Sequence, residues 1–221
     1  GYFPVGWNYS SRLIVAMAHL SKKGMTRRAG LRKLDFFVTN VELHMSDDKP
    51  ADQNRQMTPE EAAEFAEQVF NKAREGDAAM LAALLSKGLP PNLRNHKGDT
   101  LLMLASYHGH VEAVKVLLEH KADPEIRNDN GQSPIAGAAF KGDLEMVKAL
   151  VEGGAQVEGA SFDGRTALMM AAMFNRVAII DYLISKGADP QAKDANGITA
   201  LDAAKTMGAT DAVAQLEKLA G

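Results

Sequence analysis

The chain has 221 residues, 46% of them hydrophobic, and a formal net charge of −3, which suits one or two globular units with a core of useful size. Its mild acidity excludes the basic footprint expected of a nucleic-acid binder. The absence of cysteine excludes disulfides, thiolate metal sites and cysteine nucleophiles, and it fits a reducing compartment such as the cytoplasm.

Charge changes sign along the chain. Residues 1–44 carry +5 and the remainder −8, so the first segment is a different kind of sequence. It holds Trp7 and the apolar run "LIVAMAHL", far too short to span a bilayer. Its basic residues follow the apolar run, the reverse of a secretory signal. A transit peptide or a basic arm for acidic partners would fit, but the stretch "MSDDKPADQNRQ" from Met45 reads like a natural protein start with a polar, disordered lead-in. The expectation is that Met45 is the initiator and that residues 1–44 are a misassigned extension, followed by a lead-in over 45–57.

From Thr58 the pattern becomes helical. Thr58, Pro59 and Glu61 form a capping-box start, and the acidic first turn suits the helix dipole. A second apolar stretch follows, with Gly76, Leu84 and Leu85 lying 33 residues before Gly109, Leu117 and Leu118. That period governs what comes next. Gly98, Gly131, Gly164 and Gly197 are 33 apart; so are Thr100, Ser133, Thr166 and Thr199, the alanines 105, 138, 171 and 204, and the leucines 117, 150, 183 and 216.

Each column has a physical reading. Thr or Ser N-caps a short helix, the alanines allow close helix approach, and the glycines at 109 and 142 permit a turn into a second helix. Val111, Val114, Leu117 and Leu118 make an apolar stripe that no single unit can bury, so neighbouring units must stack. The last unit ends in a polar helix with Gln215, Glu217 and Lys218, as a terminal cap would.

The units "GDTLLMLASYHGHVEAVKVLLEHKADP", "GQSPIAGAAFKGDLEMVKALVEGGAQV" and "GRTALMMAAMFNRVAIIDYLISKGADP" resemble the ankyrin repeat. The resemblance covers about residues 60–220 and implies an all-α solenoid of paired antiparallel helices joined by hairpin-like turns. It sets an N-terminal capping repeat at 58–94, full repeats at 95–127, 128–160 and 161–193, and a C-terminal capping repeat at 194–221. The family's T-P-L-H histidine is replaced by Met103, Ala136, Met169 and Asp202. Its hydrogen bonds to neighbouring turns must then be lost or replaced, and the loops are expected to be less rigid than in a consensus array.

The histidines raise the question of chemistry. His110 takes the repeat's second-helix start, equivalent to Asp143, Arg176 and Ala209. His120 sits where a cation suits the helix dipole and is expected to be solvated. His108 and His110 are two apart and on helical geometry share no face, and no third ligand stands at a metal-binding spacing. No phosphate loop or nucleophile elbow appears, so no catalytic residue, metal or cofactor is assigned.

What stands out is a pair of columns closing the first helices: Tyr107, Phe140, Met173 and Thr206, followed by His108, Lys141, Phe174 and Met207. In ankyrin folds such positions face the concave groove beside the turn tips and are commonly polar. Aromatic anchors and adaptable methionines suit protein contact. The tips add His96, Lys97 and Asp99, then Asp129, Asn130 and Gln132, then Phe162, Asp163 and Arg165, a polar rim around an apolar stripe. The expected function is a non-enzymatic protein-binding adaptor or inhibitor, monomeric, with no nucleic-acid or membrane partner, similar in style to small stand-alone bacterial ankyrin proteins. The alternatives are an accessory or chaperone-like partner of an enzyme or secreted effector encoded beside it, or a metal- or ligand-binding catalytic protein built on His108. The competing reading of the stripe is that it packs between first helices and completes the core.

Overall fold

A computed structural model describes residues 58–220; the expectations for the basic segment, the lead-in and a start at Met45 lie outside the described residues. Among the described residues ten helices follow in order: α1 Pro59–Glu75, α2 Ala78–Ser86, α3 Leu101–Tyr107, α4 Val111–Glu119, α5 Pro134–Lys141, α6 Leu144–Glu152, α7 Ala167–Met173, α8 Val177–Ser185, α9 Ala200–Met207 and α10 Thr210–Ala220. The odd-numbered helices pack side by side in one layer and the even-numbered ones in a second. Each odd helix also packs on the even helix that follows it. The result is a two-layered array of five helix pairs with isolated bridges, Arg94 with Thr100 and Ala160 with Thr166, closing two of the turns.

Local signals start and stop these short helices. Thr100, Ser133, Thr166 and Thr199 each accept the backbone N–H three residues on, and Thr58 with Glu61 forms a complete capping box. Between paired helices the chain needs one left-handed residue. Gly76, Gly109, Gly142 and Gly208 supply it, while in the fourth pair Asn175 does so at φ 56°. Asn175 offsets the side-chain penalty with a cap of its own: Oδ1 accepts from Ala212 N at 2.8 Å and Nδ2 donates to Asp211 at 2.9 Å.

The core follows the columns. Ala105, Ala138, Ala171 and Ala204 are at most 1% exposed, and Leu117, Leu150, Leu183 and Leu216 at most 2%, in one continuous apolar cluster along the array.

Polar bonds stitch successive repeats. The carbonyls of Arg74, Tyr107 and Phe140, each one repeat apart, close the first helices of three units. They accept from His110 Nε2 (2.7 Å), Lys141 Nζ (2.8 Å) and Arg176 Nη2 (3.4 Å) of the next unit. These donors satisfy helix-end carbonyls that otherwise lack partners. At the other edge Asn92, Glu125 and Glu158 accept the backbone N–H of Asp123, Gln156 and Asp189 at 2.8–2.9 Å.

Candidate groove and turn-tip surface

The turns precede the N-caps of the first helices and the aromatic columns close their C-termini. The two sets therefore stand at opposite ends of helices seven or eight residues long, about 10–12 Å apart. This corrects the expectation that the aromatic columns lie beside the tips. At the C-terminal end of the array the two still share one hollow of about 200 Å³, with Arg165, Asp194 and Ile198 on its tip side and Met169, Met173 and Met207 on its helix side.

The columns divide by exposure. Tyr107 is 49% exposed, Phe140 38% and Met207 51%, and His108 and Lys141 are also exposed, whereas Met173 and Phe174 are half-buried. Phe140 meets Phe174 edge-to-face with ring centroids 4.6 Å apart, a favoured aromatic geometry. Lys141 lies over the Tyr107 ring at 4.1 Å. Tyr107, His108 and Gly109 face residues 141–145 across an open notch of about 500 Å³.

The histidines settle differently from expectation. His108 and His110 do meet, their rings stacked 6.3 Å apart, because left-handed Gly109 lies between them and helical spacing does not apply there. Burial holds His108 below the usual histidine range, and the cations Lys141 and Arg74 push the same way. His120 is half-buried, not solvated: Nδ1 meets Val116 O at 2.9 Å and Nε2 lies 3.4 Å from Ser86 Oγ of the preceding unit. Asp202 is exposed and completes the α9 capping box, which holds its carboxyl below the usual range. Among the described residues no group of three or more His, Cys, Asp or Glu is placed to hold a metal ion.

The missing T-P-L-H histidine is replaced from inside the turns. Asn95, Asn128 and Asp194 each accept two backbone N–H groups of their own turn through Oδ1, at 2.8–3.1 Å. Asn128 Nδ2 also donates to Asp99 of the preceding turn at 3.0 Å, so Asp99 is half-buried and locks the turns together. The backbone adds Asp129 N to Lys97 O at 3.0 Å and Ala195 N to Asp163 O at 2.9 Å. These bonds run against the expectation of looser loops. Asn128→Ala removes buried partners from both turn and neighbour, and is expected to lower stability by about 1–3 kcal/mol in thermal unfolding, whereas exposed Asn130→Ala changes little.

The third turn departs from this pattern. Ser161 stands in the Asn column; its hydroxyl donates to Asp163 and accepts from Arg165 N at 3.2 Å. Phe162 takes the place of Asp129, makes no backbone bond to Asn130, lies over Gly131 and is 70% exposed. Arg127 stands 5.9 Å above its ring. Of the remaining rim residues, Asp129 is paired with Arg94 at 3.2 Å, Gln132 with Asn128 at 3.0 Å and Asp163 with Arg165 at 3.3 Å. His96, Lys97 and Asn130 point to solvent.

A family model of ankyrin repeats, three copies, matches residues 69–161 and 138–219. The chain belongs to the ankyrin-repeat family. A 56-residue stretch is 61% identical to an ankyrin repeat protein of Pseudomonas aeruginosa, covering 25% of this chain and 33% of that relative; the chain thus spans about a third of the length of the curated relative it matches. Ankyrin repeats are protein–protein interaction modules, and the helix pairs, turns and apolar columns of this ankyrin-repeat chain are the parts of such a module. Among the described residues no helix is long and apolar enough to cross a membrane.

Proposed function

We propose that this ankyrin-repeat protein is a non-enzymatic binding module that holds a protein partner in its groove, acting as an adaptor or inhibitor in a reducing compartment. One observation carries the reading. Among the described residues the large apolar side chains left exposed are Tyr107, Phe140, Phe162, Ile198, Met207 and Leu219, and all but Leu219 lie on the first helices or the turns. The large apolar groups of the second-helix layer are buried or half-buried apart from that terminal leucine. Random surface hydrophobicity would not sort itself to one side of a solenoid. Aromatic side chains there supply anchors and the methionines adapt to the shape offered.

The test is a triple variant, Tyr107→Asp, Phe140→Asp and Met207→Asp, at side chains the fold leaves exposed. Retention of the partner identified by affinity purification of the wild-type chain is expected to fall at least tenfold, with the melting temperature nearly unchanged. Full retention by the folded triple variant would exclude the groove. Half-buried Phe174 is left intact, so folding and binding are not changed together.

A further inference from the structure

Three aromatic rings, Tyr107, Phe140 and Phe174, stand at the C-terminal ends of successive first helices, and cations stand among them. Lys141 lies over Tyr107 and Arg176 lies against the Phe140 carbonyl. His108 and His110 continue the row toward the preceding repeat. Two carboxylates, Asp143 and Glu145, share this edge, but both are engaged. Asp143 Oδ1 caps α6 through Met146 N at 3.0 Å, and Glu145 binds Lys148 at 2.9 Å. Lys141 and Arg176 each spend one donor on a carbonyl and keep the others. Each carboxylate keeps a second oxygen, and beside them the edge holds the unspent donors of Lys141 and Arg176.

We propose that this edge of the groove takes an acidic peptide segment of a protein partner, with an aromatic or large aliphatic side chain on the Tyr107–Phe140–Phe174 row and a neighbouring carboxylate on Lys141 and Arg176. The proposal rests on the reading of the groove as a protein-binding face and adds the chemistry of what is bound. The carbonyl bonds already hold both cations beside the rings, so little side-chain freedom is lost on binding. The surroundings of His108 agree: the charged side chains that press on it, Lys141 and Arg74, are cations, and an arriving carboxylate would oppose them. A nucleic-acid strand fits less well. The chain is acidic overall, and the edge-to-face contact of Phe140 with Phe174 leaves no run of open ring faces for stacked bases.

Selection from a displayed random-peptide library, with the whole chain as bait, reads the preference directly. Enriched sequences are expected to carry Asp or Glu within a few residues of an aromatic or large aliphatic side chain. A fluorescein-labelled representative should bind at least tenfold tighter than its counterpart with Lys in place of the acids, and lose affinity as salt rises. The Lys141→Glu, Arg176→Glu variant should reverse the order and gain the basic peptide, a result that an unfolded variant could not imitate. Lys115→Glu with Lys218→Glu, on the second-helix layer, should leave the order intact. Enriched peptides without acidic bias, or an oligonucleotide bound more tightly than the peptide, overturn the proposal. If uncharged apolar peptides bind and are lost in the Tyr107, Phe140 and Met207 variant, the acidic preference falls and the groove reading stands. Failure to enrich any groove-dependent peptide removes both.

Discussion

Leu150→Ala is expected to lower the unfolding free energy by about 2–5 kcal/mol, a large share of the 5–15 kcal/mol typical of a domain. Leu150 is fully buried in α6, in the central helix pair, whose second helix packs on both α4 and α8. The lost methyl groups leave a cavity in a layer that cannot close without drawing its neighbours in. Stability in a stacked array is the sum of what each repeat holds and what each interface adds. A weakened central repeat therefore uncouples the two ends as well as losing its own packing. Guanidinium unfolding followed by circular dichroism is expected to broaden or split into two steps, where the parent gives one. Leu219→Ala is the comparison: that leucine is 47% exposed on the terminal helix and should change stability by no more than about 0.5 kcal/mol. Equal effects from the two substitutions would contradict the burial of the leucine column.

Gly164→Ala should destabilise more than Gly197→Ala, although both replace a left-handed glycine at the same position of its repeat. Gly164 has φ 79° and Gly197 φ 77°, so each alanine incurs a conformational cost of about 1–2 kcal/mol. The surroundings differ. A methyl group on Gly164 would stand 3.1 Å from Ala195 N and 3.2 Å from Asp194 Cα, while nothing lies within 4 Å of the same group on Gly197. The close atoms are backbone and cannot swing aside. Relief requires the fourth turn to move, which strains the Ala195 N to Asp163 O bond and adds overpacking of about 1–3 kcal/mol. Melting temperatures of the two variants, measured side by side, separate the backbone cost from the contact cost. The opposite order would mean that the third and fourth turns are not held together as described.

The repeat columns were legible because each is set by a rule of local chemistry. A left-handed turn selects Gly98 and its equivalents, an N-cap selects Thr100 and its equivalents, and close helix packing selects Ala105 and its equivalents. The stitching of first-helix carbonyls was not legible, because three unlike donors make it. His110 and Arg176 share a column, but Asp143 between them has no proton to give, and Lys141 reaches over from two positions earlier. No residue type repeats, so no column appears. The turn locks could have been found, since Asn95, Asn128, Ser161 and Asp194 are spaced 33 apart and all can accept backbone N–H groups. The stacking of His108 on His110 does not follow from helical spacing, because the helix has already ended at left-handed Gly109.

The bonds between repeats share a sense of direction. His110, Lys141 and Arg176 donate backward to the preceding unit, as do the N–H groups of Asp123, Gln156 and Asp189. Asn128 also reaches back, to Asp99; the Arg94 guanidinium, which donates forward to Arg127 O and Asp129, and the Asn175 amide, which donates forward to Asp211, run against the trend. Most of these bonds thus run from donors in one unit to acceptors in its predecessor, so the stack has a head and a tail in the way a single strand does. A 33-residue unit duplicated in place would find acceptors behind it and donors ahead of it. One inserted in reverse order would meet like against like.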